Sequence, residues 1–258
     1  MARSISKRTK QVEKPPVKEK FKVEGEETFQ QQALPRFTAA TTNQKLQLQY
    51  LREGRSVVWA TGASGSGKSM IAAYHAACLL KEKKIDKILL VRPVVYVGNS
   101  IGMLSGTADE KLSVWFKQTV AHLEKFLGVG FTRYCLDKGI IQYQALEHFR
   151  GMSLENCFCI LEECQGLTSQ EIEMVLTRIG KGGQICLTGD SRQSAKKDNS
   201  GLTDFMRLIK RVIEEEPEYL SDEDLDILEN DVGVVEYTVE DIQRSGIVKA
   251  FCKIYYSE

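Results

Sequence analysis

Apolar positions recur along this chain with two alternating periods. Short runs in which almost every residue is apolar read as strands buried on both faces: Val57-Val58-Trp59-Ala60-Thr61, Lys87-Ile88-Leu89-Leu90-Val91, Phe158-Cys159-Ile160-Leu161 and Gln184-Ile185-Cys186-Leu187-Thr188. Between them the apolar residues fall at helical spacing: Lys45 to Glu53 with Leu46, Leu48 and Leu51, the alanine-rich Met70 to Lys83, Ser169 to Ile179, and Leu202 to Ile213. Asp109 to Leu127 predicts one amphipathic helix with Leu112, Trp115, Phe116, Val120, Leu123 and Leu127 on a single side. Shorter strands are expected at Ile140–Tyr143 and Val234–Val239, and a closing helix from Val239 to Tyr256 with Arg244 near its start. Strands alternating with helices predict an α/β fold with a mostly parallel sheet flanked by helices.

Composition adds the borders. Residues 1–22 carry eight Lys or Arg against two Glu and no apolar period, so residues 1–33 are expected to form a basic, disordered arm. Residues 34–258 then form one domain. Within it, residues 214–231 hold ten acidic residues and no basic ones, which reads as a solvated or flexible insertion. The whole chain balances 35 basic against 35 acidic residues, so no global field marks a polyanion partner. No apolar run approaches the ~18 residues of a membrane span, and the basic amino terminus lacks a signal-peptide core, so a cytoplasmic protein is expected. Seven cysteines, an odd number, fit reduced structural thiols.

The chemistry starts at Gly62-Ala63-Ser64-Gly65-Ser66-Gly67-Lys68-Ser69, which fits the phosphate-loop pattern G-x-x-x-x-G-K-[ST]. A strand precedes it and a helix follows, as the motif requires. The glycines free backbone N–H groups to face an anion, Lys68 brings a point charge to the outer phosphates, and the Ser69 hydroxyl offers a magnesium ligand. A second loaded stretch closes another apolar strand: Glu162-Glu163, with Glu162 placed for the magnesium shell and Glu163 for polarising an attacking water. Gly189-Asp190 ends a third strand, so Asp190 and Gln193 are expected beside the γ-phosphate. Arg92 ends a fourth. Asn43-Gln44, at a helix start capped by Thr or Asn, offers an amide suited to both donor and acceptor atoms of an adenine edge.

With these motifs in order, the chain resembles the PhoH family of phosphate-starvation-inducible P-loop ATPases, a branch close to superfamily one helicases. The resemblance rests on Asn43-Gln44, Gly62 to Ser69, Arg92-Pro93, Ile101 to Gly106, Phe149-Arg150-Gly151, Glu162-Glu163-Cys164-Gln165, Leu176 to Gly180, Gly189-Asp190 with Gln193, Ser200-Gly201-Leu202, and Asp241 to Arg244. It implies a RecA-like sheet, ATP with Mg2+, and a role on RNA or single-stranded DNA. It also implies a transition-state arginine, for which Arg178 and Arg244 are the candidates, and a homo-oligomeric ring, a hexamer as in some relatives, if that arginine comes from a neighbour. One departure matters: the family pattern has Asp then Glu where this chain has Glu162-Glu163, which puts the hydrolysis rate in question. Three readings follow: a nucleic-acid-directed ATPase motor, a nucleotide-dependent binding switch with slow hydrolysis, and a small-molecule kinase.

Overall fold

The computed structural model describes residues 33–93, 112–190 and 201–256. Within them the chain builds one six-stranded, all-parallel sheet: β1 (Val57–Gly62), β2 (Lys87–Arg92), β3 (Ile141–Ala145), β4 (Cys157–Leu161), β5 (Gln184–Gly189) and β6 (Val232–Tyr237), in the spatial order β3-β2-β4-β5-β1-β6. The α/β fold expected from the alternating pattern is the one observed. Eight α-helices lie among the described residues: α1 (Thr42–Glu53), α2 (Lys68–Lys81), α3 (Lys117–Leu127), α4 (Val129–Asp137), α5 (Ser169–Leu176), α6 (Gly201–Glu215), α7 (Asp222–Asp231) and α8 (Gly246–Tyr256).

Successive strand residues point to opposite faces, and each face has its own core. On one, Val58, Ala60, Ile88, Leu90, Phe158, Ile160 and Cys186 meet α1 to α4. Four fully buried alanines of α2, Ala72, Ala73, Ala76 and Ala77, let that helix lie close on the strands. On the other face, Trp59, Leu89, Val91, Cys159, Leu161, Ile185 and Leu187 meet α5 and α6. There the Trp59 ring stacks on Phe205 with centroids 4.7 Å apart. All seven cysteines are free thiols, five of them buried, and burial pushes the Cys186 thiol up to about 12.

Three local expectations are corrected, and one helix appears where none was expected. Among the described residues, the helix expected over Asp109–Leu127 is interrupted by a turn at 114–116, where the N–H groups of Trp115 and Phe116 donate to the carbonyls of Leu112 and Ser113, and the regular helix α3 starts at Lys117. The acidic stretch contains a helix, α7, packed on α6 and β6 and started by a Ser221/Asp224 capping box with three carboxylates in its first turn, where the helix dipole favours them. The closing helix begins at Gly246. Its expected first turns are a 3₁₀ turn, Val239–Asp241, capped by Thr238, followed by an irregular Gln243-Arg244 segment that returns to β1's loop. Finally α4, between Gly128 and Gly139, carries no strong pattern and has no counterpart among the expected elements. The basic arm through residue 32, Ile101 to Gly106, and Gln193 fall outside the described residues.

One buried polar node joins the α1–β1 turn to the sheet. The Gln184 amide donates to the carbonyls of Leu51 and Arg55 at 3.0 and 2.8 Å and accepts from His75 Nε2 at 3.0 Å. Burial lowers the His75 pKa from 6.5 to about 4 despite that hydrogen bond. The folded state therefore binds fewer protons than the unfolded state between those values, and stability falls as pH drops from 6.5 toward 4. His75 should account for about 3 kcal/mol of that loss. Urea unfolding at a series of pH values should show the slope in the native chain and its flattening in His75→Gln.

Candidate functional site

The phosphate loop sits between β1 and α2, and its shape is forced by its neighbours. Gly62, Gly65 and Gly67 have φ of +116°, +81° and +93°. At Gly62 a Cβ would also lie 2.0 Å from the Tyr237 carbonyl oxygen of β6, so no larger residue fits. Ser66 Oγ donates to the Ala63 carbonyl at 2.8 Å, closing the loop on itself. Lys68 opens α2 and folds back over the loop, its ammonium donating to the carbonyls of Gly62 and Ala63 at 2.7 and 2.8 Å. Burial lowers its pKa to about 8, against the opposing pull of Asp190, Glu163 and Asp241.

Helix α1 braces this loop from behind. Thr41 caps it, accepting from the Gln44 N–H at 3.2 Å. Gln44 Nε2 donates to the Ser66 carbonyl at 2.7 Å while its oxygen accepts from Ala40 N–H at 2.8 Å. One turn later Gln47 Nε2 donates to the Lys68 carbonyl at 3.1 Å, and its oxygen accepts from the Tyr237 hydroxyl. Asn43 donates to Asp241 at 2.8 Å and to the Glu236 carbonyl at 3.0 Å. The adenine-edge assignment of Asn43-Gln44 is corrected accordingly: Gln44 lies inside the first turn of α1, 1% exposed, with both ends of its amide engaged by the chain, and Asn43 ties β6 to the 3₁₀ turn.

The carboxylates arrive from β4. Glu162 lies beside the loop, its Oε1 accepting from Thr119 Oγ1 of α3 at 2.6 Å and its carboxylate also engaged by the Ser69 hydroxyl. Burial raises its pKa, with the two hydroxyls pulling the other way. Glu163 adopts a left-handed backbone, φ +58°, a conformation that costs a non-glycine residue on the order of 1 kcal/mol. The kink turns its side chain toward Arg92 at 3.5 Å and lets it accept from Gln165 Nε2. The sequence pattern gives Gln165 no separate role. In the structure its oxygen accepts from the Asp190 N–H at 3.1 Å, so one buried amide joins the end of β4 to the end of β5. Gly189 permits that approach, since a Cβ there would come within 2.8 Å of Gln165 Oε1.

Of these residues, Lys68, Ser69, Arg92, Glu162, Glu163 and Asp190 line a cleft of about 330 Å³ that Arg244 also borders. The two candidate arginines part company. Arg244 lies across the loop, so close that a Cβ on Gly65 would meet its Nε at 2.7 Å, and Gln243 N–H donates to the Gly65 carbonyl at 3.1 Å. Arg178 is at the other edge of the sheet. Its carbonyl accepts from Leu154, ahead of β4, which places it roughly 20–25 Å of extended chain from Glu162. Its Nε is buried without a hydrogen bond among the described residues. Arg178 is therefore removed from the site of its own chain. Also unforeseen were Gln118 and His122 of α3, which line the same cleft. A larger cleft of about 1000 Å³ adjoins at Gly62 and Asp190, between α6, β6 and α8.

Among the described residues no helix is long and apolar enough to cross a membrane, and no group of three His, Cys, Asp or Glu is placed to hold a metal by itself. The donor set that is present, the Ser69 hydroxyl beside the Glu162 carboxylate, consists of hard oxygens and fits a magnesium ion that takes its remaining ligands from phosphate and water.

Comparison with known proteins agrees with the motifs. Residues 36–256 match the PhoH-like protein family. The protein PhoH of Escherichia coli is 32% identical over 215 residues, 81% of this chain and 56% of its own length, and a PhoH-like protein of Bacillus subtilis is 34% identical over 158 residues, 60% of this chain and 50% of its own. The chain thus spans about half the length of the curated relatives it matches. Among solved structures, the large terminase of a thermophilic bacteriophage aligns with 83% of this chain and 49% of its own at TM-score 0.49 and 9% identity. The UvsW helicase of bacteriophage T4 aligns with 83% and 66% at 0.41 and 13%. With a match from residue 36 to residue 256 and the phosphate loop, paired carboxylates and Gly-Asp turn in the expected order, the chain belongs to the PhoH family.

Proposed function

We propose that this protein binds ATP with magnesium, hydrolyses it, and couples that hydrolysis to action on RNA or single-stranded DNA. One observation carries the reading: the phosphate loop, its lysine and the paired carboxylates, far apart in sequence, line a single cleft. In this reading the N–H groups of Gly62 to Ser69 and the amino end of α2 hold the β- and γ-phosphates. Lys68 leaves its carbonyl contacts for the phosphate oxygens. Ser69 and Glu162 would hold magnesium, which neutralises charge on the β- and γ-phosphates. Glu163 orients a water against the γ-phosphorus and takes its proton as the bond to the ADP oxygen breaks. Gln165 links Glu163 to the Asp190 backbone, so that loss of the γ-phosphate is felt at the end of β5.

The nucleic-acid part extends the family resemblance. The adjoining cleft carries Arg207 and Lys210 but also Glu214 and Glu236, so its charge does not by itself mark a polyanion track. Glu163 is engaged by Arg92 and Gln165, which favours as second reading a switch whose hydrolysis is slow until a partner draws Arg92 away. Turnover measured with and without RNA or single-stranded DNA separates the readings. Stimulation of about tenfold or more supports the motor, binding with flat, slow turnover supports the switch, and phosphate passed to a metabolite supports the kinase.

Two variants test the site. Lys68→Ala should lose turnover and most triphosphate affinity, and retained ATPase activity would sink the assignment. Because the empty site holds the Lys68 pKa near 8 and a triphosphate favours the charged ammonium, binding above that pH should take up a proton, and affinity should fall as pH rises through about 8. Calorimetry in buffers of different ionisation enthalpy should detect the uptake in the native chain and not in Lys68→Met.

Arg244 is assigned as the transition-state arginine acting within its own subunit. Arg244→Ala should lower kcat roughly 10³-fold or more with ATP affinity nearly unchanged, while Arg178→Ala should leave kcat intact. The opposite result would place Arg178 in a neighbour's site and require the ring.

A further inference from the structure

Helix α3 had no chemical role in the sequence, yet it forms a wall of the cleft. Its inner stripe is apolar except at one position: Thr119 is fully buried between Phe116 and Leu123, themselves fully buried. A hydroxyl enclosed in an apolar stripe must find an acceptor or destabilise the fold. Here the acceptor is Glu162 Oε1 at 2.6 Å, a short, charge-assisted hydrogen bond to the carboxylate that also meets the Ser69 hydroxyl. The same helix entry engages the second carboxylate through an intermediary, because the Trp115 carbonyl accepts from Arg92 at 3.3 Å and Arg92 pairs with Glu163 at 3.5 Å.

We propose that Thr119 is a positioning residue for the metal-bound nucleotide: its hydroxyl pins one oxygen of Glu162 so that the longer glutamate chain presents its carboxylate to the Ser69 side of the cleft in one orientation. The extra methylene of glutamate relative to aspartate adds a rotatable bond, and the Thr119 bond removes that freedom before the ligand arrives. Partners one step behind a metal ligand typically change metal affinity by roughly 10- to 100-fold when removed. Thr119 acts through Glu162 alone and touches no phosphate, so its effect belongs to the metal and not to the nucleotide. The inference rests on the ATPase reading above, and the experiment keeps the two apart.

The probe is Mn2+ with ADP, followed by electron paramagnetic resonance on the full chain, beside calorimetry of ADP in EDTA. The native chain should retain Mn2+ in an ADP-dependent manner. Thr119→Val, of the same shape without the donor, should weaken that retention roughly tenfold or more while metal-free ADP affinity stays within about twofold. Thr119→Ser should restore it. Thr119→Ala is the second variant should valine perturb folding, and the same loss is expected. Unchanged Mn2+ affinity in valine and alanine variants, or no rescue by serine in a folded protein, would overturn the assignment of Thr119. A native chain that binds ADP but holds no Mn2+ would overturn it as well, and a native chain that binds neither would overturn the ATPase reading on which it stands.

Discussion

Every strand runs in the same direction, and the rest of the molecule follows from that constraint. A parallel sheet buried on both faces must return each connection across a face, here over α-helices except between β3 and β4, and deliver each carboxyl end to one edge. The register makes the edge compact: Val91 is level with Leu161, Leu161 with Leu187, and Thr61 with Gly189. The residues that follow, Arg92, Glu162-Glu163, Asp190 and the phosphate loop, have no place to go but the same cleft. A slip of one residue in any pairing would send side chains packed in one core into the other, so the cores on the two faces hold the site in register.

The edge would still be loose without the braces behind it. Amides from α1 fix the phosphate loop at Ser66 and the first turn of α2 at Lys68. Gln165 joins β4 to β5, and α3 holds Glu162. These contacts are polar and largely buried, where an unmade hydrogen bond is costly, so each fixes one geometry. The strained backbone at Glu163 fits the same pattern. Its left-handed turn is maintained by surrounding structure and turns one side chain toward Arg92 at the cleft.

Much of this was legible in the chain. Runs of three to five consecutive apolar residues mark strands covered on both sides, and a glycine-rich octet between such a run and an alanine-rich helix has few alternatives to a phosphate cradle. The acidic segment after α6 misled for a physical reason. Its charges suggest solvent, but a capping box and half-buried Leu225 and Leu228 suffice for a helix that packs on β6. Asn43 and Gln44 misled differently, because an amide beside a phosphate loop suits a base and a backbone carbonyl equally, and only the packing chooses. Thr119 left a trace that could have been read: a hydroxyl on the apolar face of a helix needs a partner.

Sequence alone determined most of the elements, the parallel sheet and the residue types of the phosphate loop and strand ends, since these depend on local periodicity and on residues within one strand or loop. Tertiary structure decided which distant side chains lie there. Arg244 and Arg178 are alike in sequence, both in polar stretches after apolar segments. The Gln243 hydrogen bond to Gly65 carries one over the loop, and the Leu154 hydrogen bond to the Arg178 carbonyl holds the other at the opposite edge. Such contacts join residues far apart in the chain or at opposite ends of a strand, and no periodicity records them.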